Sequence, residues 1–136
     1  MLQSARHAVV LTGAGISTSS GIPDFRSQET GQWTKDDPME VASLTSFLRR
    51  PERFYNRLRP LLIQTWNARP NPAHLAIARM EEKGIVKALI TQNIDGLHKA
   101  AGSKNVIEVH GSLDSMECPY CGKNYPSLDF KDKMLD

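Results

Sequence analysis

One histidine, two amides and a carboxylate follow apolar runs, where they could exchange protons or hold a polar ligand. His110 follows one run, and Gln92, Asn93 and Asp95 follow another. An imidazole with a pKa near ~6.5 exchanges protons at neutral pH, as a general base must, although a lone strand-end histidine more often only hydrogen-bonds a loop. The amides and the carboxylate could equally form an Asx turn that starts the next helix, and such a turn can itself preorganise a site.

A third apolar run, 8–11, leads into glycines and hydroxyl residues. Its continuation is Thr12-Gly13-Ala14-Gly15-Ile16, followed by Ser17 and three further hydroxyl residues. Glycines after a strand let backbone N–H groups approach a phosphate closely, so the segment predicts the start of a dinucleotide site. Thr18 stands where the G-x-G-x-x-G fingerprint has its last glycine, so the glycines alone are a weak signal, and the serines could instead cap a helix.

These residues need a scaffold that brings the ends of the apolar runs together, and the sequence predicts one. The runs 8–11, 86–91 and 106–109 have the length and composition of buried strands, and helical patterns cover 73–83, closed by Gly84, and about 96–101. Strands alternating with helices predict an α/β fold with a parallel sheet, which binds ligands at the carboxyl ends of its strands.

The segment between the first and second strands contains a loop and two predicted helices. Residues 17–35 are polar and without sustained period, which indicates a mobile loop with one short helical turn. Apolar spacing predicts a helix from Pro38 and another from Pro51, and Pro60 should kink or end the second one.

Two cysteines, Cys118 and Cys121, form a CxxC that fits half a zinc site or a redox pair. A redox pair is expected at the start of a helix after a strand, whereas the following Gly122-Lys123-Asn124 favours a zinc knuckle. Structural zinc takes four ligands and this sequence supplies two, so we expect weak binding unless another segment or chain completes the site.

The composition is that of an ordinary globular protein. The chain has 136 residues, 40% of them hydrophobic and 24% charged, with a net charge of +2. That length fits one domain, and the charge is too small and too scattered to indicate nucleic acid. The sequence contains no apolar run of the ~20 residues that are needed to span a membrane, and it contains no secretory signal. We therefore expect a cytoplasmic protein without membrane partners.

Together the motifs GAGIS, GIPDFR, TQNID and HG, followed by CxxC, resemble the sirtuin family of NAD-dependent protein deacylases. They occur in the family's order and extend from about Ala8 to Cys121. The resemblance implies one partial catalytic domain over 1–136: a Rossmann-like parallel sheet, a helical small-module insertion at about 38–67, and the start of a zinc-binding module at about 115–136. Family members are about twice as long, so the chain is expected to be a fragment or a natural truncation.

The resemblance also implies roles for individual residues. His110 would be the base that deprotonates a ribose hydroxyl and Asn93 a second catalytic residue, while Cys118 and Cys121 would hold Zn²⁺ in an incomplete site. Asp95 would hold the nicotinamide carboxamide, and Phe25 and Arg26 would close over the cofactor. The implied NAD-binding residues are Gly13, Ala14, Gly15, Ile16, Ser17, Asp24, Phe25, Arg26, Gln92, Asn93, Ile94, Asp95 and His110.

The activity implied is transfer of the acyl group from acetyl-lysine of a protein or peptide to ADP-ribose, with NAD consumed and nicotinamide released. Members that remove acidic acyl groups carry Tyr-x-x-Arg, whereas Tyr55 is followed by Leu58 at that spacing, which favours deacetylation. Two alternatives stay open: an NAD-dependent oxidoreductase and a non-catalytic NAD-binding fragment. His7, His74 and His98 are interpreted as structural.

Overall fold

The computed structural model describes residues 5–24 and 43–135, and its centre is a parallel sheet of three strands. The strands are β1 (Ala8–Thr12), β2 (Val86–Thr91) and β3 (Val106–Glu108), in the order β1-β2-β3. Leu11 of β1 lies beside Ile90 of β2, which in turn lies beside Ile107 of β3. The predicted α/β fold with a partial parallel sheet is therefore confirmed.

Five α-helices lie in the described residues, together with two 3₁₀ helices, Ala14–Ser20 and Ser127–Phe130. A small antiparallel hairpin pairs β4 (Ser115–Glu117) with β5 (Asn124–Pro126). Within the described part of the chain no helix is long and apolar enough to cross a bilayer. The helices are α1 (Leu44–Arg49), α2 (Pro51–Asn67), α3 (Pro72–Glu82), α4 (Leu97–Ala100) and α5 (Lys131–Leu135).

The expectation that Pro60 kinks or ends its helix is wrong about the end, because α2 runs through Pro60 to Asn67. Proline removes one backbone hydrogen bond, which leaves the carbonyl of Asn56 without its helical donor. Asn56 and Pro60 are both exposed, so water can satisfy that carbonyl. Leu62 and Thr65, which follow Pro60 within roughly the next one and a half turns, are buried, and their packing favours continuing the helix.

Strand β2 is the core of the sheet, since Val86 and Leu89 are almost fully buried. Helix α3 packs against it, and the turn after α3 contains Gly84 with a φ of 69°, the left-handed conformation that ends many helices. The opposite face of the sheet is more open: Val9 and Leu11 on β1 are 55% and 67% exposed. Strand β2 is thus the buried central strand from which the residues after Thr91 extend.

The loop expected over 17–35 was predicted to contain one short helical turn, and residues 17–20 do lie in a helix, the 3₁₀ helix that begins at Ala14. That helix ends at Gly21, whose φ of 88° is one that glycine adopts without steric cost. Several predictions lie outside the described residues. They are the helix start at Pro38, the part of the polar loop from residue 25 to residue 35, and the roles of Phe25 and Arg26.

Candidate functional site

The carboxyl ends of the three parallel strands bring the predicted polar residues together. The backbone N–H of Gln92 donates to the carbonyl of Thr12 at 3.0 Å, which ties the end of β2 to the end of β1. The N–H of Val109 donates to the carbonyl of Thr91 at 3.0 Å, which ties the end of β3 to the same point. The glycine segment, the TQNID segment and His110 therefore start from one edge of the sheet.

Asn71 fixes the 3₁₀ helix at the head of helix α3. Its side-chain Nδ2 donates to the carbonyl of Ile16 at 2.7 Å and to Ser20 Oγ at 3.0 Å. Its Oδ1 accepts from the backbone N–H of Ala73 at 2.9 Å and caps the helix. One amide thus satisfies two elements at once and holds the segment 14–20 in place.

Ser17, Asn93 and Asp95 form a hydrogen-bonded group between that 3₁₀ helix and the end of β2. Ser17 Oγ donates to Asp95 Oδ2 at 2.6 Å and accepts from Asn93 Nδ2 at 3.1 Å. Asn93 Nδ2 also donates to the carbonyl of Gly13 at 3.2 Å. Asp95 Oδ1 accepts from the N–H of Leu97, so the carboxylate also starts helix α4, as an Asx turn does. The Asx-turn interpretation of TQNID is therefore confirmed, and the binding role of these residues stays a prediction.

His74 closes this group from the side of α3 and carries its proton on Nε2. The N–H of Asn71 donates to Nδ1 of His74 at 3.3 Å, which requires Nδ1 to be unprotonated. Nε2 is therefore the protonated nitrogen, and it lies 3.5 Å from Ser17 Oγ. The ring is completely buried, and this burial lowers the pKa of His74, with the charge of Asp95 opposing the shift. His74 is thus a neutral donor toward Ser17.

His110 has the opposite arrangement, with its proton on Nδ1. Nδ1 lies 3.0 Å from the carbonyl oxygen of Gln92, which can only accept a hydrogen bond. Nε2 then has a free lone pair on an exposed imidazole, as a general base needs. Gly111 follows with a φ of 82°, so the chain turns sharply directly after the histidine.

A cavity of about 400 Å³ lies against these residues and has mostly apolar walls. Its size suits a small-molecule ligand. A larger hollow of about 550 Å³ lies beside α3, but Arg79, Glu81, Glu82 and Lys104 line it, and none of the predicted site residues does. The residues of the smaller cavity are Ala14, Ile22, Pro23, Leu58, Leu61, Leu62, Thr65, Gln92, Asn93, Ile94, Asp95, His110 and Leu113.

The two cysteines lie apart from this cavity, in the turn between β4 and β5. The N–H of Gly122 donates to the carbonyl of Cys118 at 2.9 Å, and the N–H of Cys118 donates to Lys123 at 2.9 Å. Both thiols are free. Backbone N–H groups of Tyr120 and Cys121 that point at the Cys118 sulfur lower the pKa of that thiol. The CxxC lies in a hairpin turn and not at a helix start, which agrees with the knuckle interpretation.

Most predicted cofactor-binding residues in the described ranges line the cavity or bond directly to residues that do. Ala14, Gln92, Asn93, Ile94, Asp95 and His110 line it, and Gly13 and Ser17 bond to Asn93. The carbonyl of Ile16 instead accepts from Asn71, which is not part of the cavity wall. Gly15 follows Ala14 in the chain, and its backbone carbonyl accepts a hydrogen bond from Thr18 Oγ1. Asp24, the last residue of the described range 5–24, is not part of the cavity wall.

Sequence reasoning missed Asn71 and treated His74 as merely structural, although both bond to the Ser17 segment. The signal was present: Asn71 directly precedes a proline, and proline is favoured in the first turn of a helix after a capping residue. His74 stands three residues after Asn71 and completes a reciprocal cap. The ring contact of His74 with His98 gave no sequence signal, because it depends on how α3 and α4 pack.

The family model of the Sir2 family matches residues 13–135 of this chain. The chain belongs to the Sir2 family. Among its relatives, the NAD-dependent protein deacylase 2 of Archaeoglobus fulgidus is 51% identical over 130 residues, which are 96% of this chain and 51% of the relative. The NAD-dependent protein deacetylase of Sulfolobus acidocaldarius is 46% identical over 95% of this chain and 50% of its own length.

Solved Sir2 structures have the same fold over more than nine-tenths of this chain. A complex of Sir2 with a p53 peptide and NAD⁺ superposes with a TM-score of 0.83, at 44% identity, over 94% of this chain and 50% of its own. A Sir2 homologue bound to NAD has a TM-score of 0.83 at 42% identity, over 92% of this chain and 48% of its own. The chain thus spans about half the length of the Sir2 proteins it matches.

Proposed function

We propose that the chain is the part of a Sir2-type NAD-dependent protein deacetylase that holds the nicotinamide ribose and the catalytic base. In this reaction the acetyl group of acetyl-lysine is transferred to ADP-ribose and nicotinamide is released. The observation that carries the proposal is His110: its Nδ1 is held by the carbonyl of Gln92, and its ring lines the cavity together with Asn93 and Asp95. The names of the relatives support the same activity.

The residues present fit an NAD molecule at the cavity. A Cβ built on Gly15 would meet nothing within 4 Å, and one on Gly13 would meet only Gln92 Oε1 at 3.9 Å, so there is open space beside this backbone for a phosphate. The Asp95 carboxylate, whose two oxygens each keep a further lone pair, offers an acceptor in the cavity wall. Bound NAD supplies a ribose whose bond to nicotinamide can break.

The chain's own residues would then act in three ways. His110 Nε2 accepts a proton from a ribose hydroxyl, which makes that oxygen the nucleophile toward the acyl carbon. The carboxylate of Asp95 provides negative charge where positive charge develops on the sugar. Apolar walls, including Leu61 and Ile94, keep water from a reactive sugar cation that it would otherwise hydrolyse.

The walls also favour an uncharged acyl group. Leu58, which stands at the arginine position of the Tyr-x-x-Arg pattern, lines the cavity with Leu61 and Leu113. Arg57 is exposed, and Arg59 lines a separate hollow together with Tyr55. An acidic acyl chain at the leucine wall would lose its hydration without gaining a cation, so deacetylation is the better proposal.

We also propose that Cys118 and Cys121 hold Zn²⁺ as two of its four ligands. The N–H groups that lower the pKa of the Cys118 thiol favour the thiolate, which is the form that binds a metal. Within residues 5–24 and 43–135, no group of three or more His, Cys, Asp or Glu side chains comes together in a way that could hold a metal ion. The remaining ligands would therefore come from another segment or a second chain.

The test joins this chain to the C-terminal half of the Archaeoglobus fulgidus relative and measures nicotinamide release from NAD and an acetylated peptide. His110→Ala should abolish release while NAD still binds, because the alanine removes the base and leaves the Ser17–Asp95 group intact. His7→Ala, a change at an exposed histidine, is the matched control and should keep full activity. Wild-type turnover in His110→Ala would refute His110 as the base.

The 136-residue chain alone should release little or no nicotinamide above its own His110→Ala blank. In a doubly wound fold the dinucleotide lies across strand ends from both halves of the sheet, and these residues offer only one set. NAD binding by the chimera without turnover would match the alternative of a non-catalytic NAD-binding fragment. Reduction of NAD by the chimera when a hydride donor such as an alcohol is added, without nicotinamide release, would instead support the oxidoreductase alternative.

A further inference from the structure

A second hydrogen-bonded chain leads from Asn93 into the protein interior, away from the cavity. The backbone N–H of Asn93 donates to Thr91 Oγ1 at 3.1 Å. Thr12 Oγ1 on the neighbouring strand donates to the same oxygen at 2.9 Å, and it lies 2.9 Å from Nε2 of His98 on α4. Thr12, Thr91 and His98 are not among the residues that line the cavity. Their effect on the cavity is therefore indirect, and Asn93 is the cavity residue at which this series of hydrogen bonds ends.

The proton of His98 is assigned from the direction of these hydrogen bonds. A hydroxyl can donate to either neighbour, and we assign the single hydroxyl proton of Thr12 to the bond with Thr91. The contact between Thr12 Oγ1 and His98 Nε2 therefore needs the proton on Nε2. Nδ1 of His98 is then the unprotonated nitrogen, and it is buried without a hydrogen-bond partner. The imidazole of His98 thus donates a hydrogen bond to Thr12 and accepts none from the described residues.

The surroundings of His98 keep it in that neutral form. The residue is only 2% exposed, and its ring centre lies 4.8 Å from that of His74. Burial lowers the pKa of His98, proximity to His74 lowers it further, and Asp95 opposes both. A second proton would place an N–H at the buried Nδ1, where it would have no acceptor.

We propose that His98 is a positioning residue that holds Asn93 at the cavity through Thr12 and Thr91. The nitrogen Nε2–H fixes the Thr12 hydroxyl, the two threonine hydroxyls fix the first peptide after β2, and the side chain of Asn93 is thereby directed at Ser17 and Gly13. The consequence for catalysis rests on the proposed function, but the positioning of Asn93 does not.

The first test measures hydrogen exchange of the Asn93 backbone amide by NMR in the purified chain. His98→Leu removes the donor and should speed exchange at Asn93 by about tenfold, the effect of losing one buried hydrogen bond. His98→Gln keeps an N–H donor and should restore slow exchange. The amide of Cys118, which is bonded within the hairpin, should not change in either variant. His7→Gln, at an exposed histidine, is the matched control.

The second test uses the same variants in the chimera and separates kcat from KM for NAD. His98→Leu should lower kcat for nicotinamide release about tenfold with KM changed less than twofold, and His98→Gln should retain most of kcat. In a Thr12→Val background, which already lacks the hydroxyl that His98 binds, His98→Leu should cause no further loss.

The outcomes separate this proposal from the proposed function. If the unchanged chimera releases no nicotinamide, the proposed function fails and the exchange experiment alone decides the positioning. Equal acceleration of Asn93 and Cys118 amides in His98→Leu would mean general destabilisation and would overturn the proposal. Unchanged exchange at Asn93 would also overturn it, as would a His98→Gln variant in which exchange stays fast. The same holds if the kcat losses of Thr12→Val and His98→Leu simply multiply in the double variant.

Discussion

Replacing Asn71 should separate its two tasks, capping helix α3 and holding the 3₁₀ helix. Asn71→Ala removes the cap, worth about 1 kcal/mol, and the two bonds to Ile16 and Ser20, worth about 1 kcal/mol each. We expect the free energy of unfolding to fall by about 3 kcal/mol. Asn71→Asp keeps the capping acceptor but loses both donors, so it should lose about 2 kcal/mol.

The assay is equilibrium urea unfolding followed by far-ultraviolet circular dichroism. With a denaturant slope of about 2 kcal/mol per molar, Asn71→Ala should lower the midpoint by about 1.5 M and Asn71→Asp by about 1 M. Asn56→Ala, at an exposed position of α2, is the matched control and should change the free energy of unfolding by less than about 0.5 kcal/mol. An aspartate variant as stable as wild type would refute the argument that the Nδ2 bonds stabilise the Ser17 segment.

Three further outcomes follow from packing, protonation and ligand number. Leu89→Ala, at a fully buried position of β2, should lower the free energy of unfolding by about 2–5 kcal/mol in the urea assay. Burial lowers the pKa of both His74 and His98 in the folded chain. Below the histidine pKa of about 6.5 in the unfolded chain, the unfolded chain therefore binds more protons than the folded chain. The melting temperature should therefore fall as pH drops below about 6.5, and this fall should weaken in a His74→Gln, His98→Gln variant. Metal analysis should find well below one zinc per chain, or one per two chains if cysteine pairs are shared, and one tightly bound zinc in a monomer would contradict the two-ligand count.

The strands and the placement of the polar residues were predictable because both depend on local pattern. Apolar runs that end in polar residues predicted β1, β2 and β3, the last of them one residue too long, and the ends of parallel strands necessarily meet at one edge. The place of Asp95 after β2 predicted its Asx turn, whereas its role in the site came from the family resemblance. These are properties of short segments, which the sequence reports directly.

The features that sequence reasoning missed depend on contacts between distant segments. Pro60 stays within α2 because the buried face around Leu62 outweighs a local preference for ending the helix. His98 meets Thr12 across 86 positions of the chain, and His74 meets Ser17 across 57. Nothing in the spacing of these residues indicates that such pairs form, because the packing of α3 and α4 against the sheet decides it.

The buried histidines also bear on the chemistry proposed for the cavity. His74 and His98 are both Nε2–H donors whose pKa values are lowered, so they satisfy the hydroxyls of Ser17 and Thr12 without adding positive charge. Among the described residues that line the cavity, Asp95 is then the charged side chain, and His110 becomes charged only when it takes up a proton. A sugar that becomes cationic would be repelled by imidazolium groups and stabilised by a carboxylate in a weakly polar cavity. Neutral donors behind the site and one carboxylate within it are therefore a charge distribution that suits the proposed release of nicotinamide.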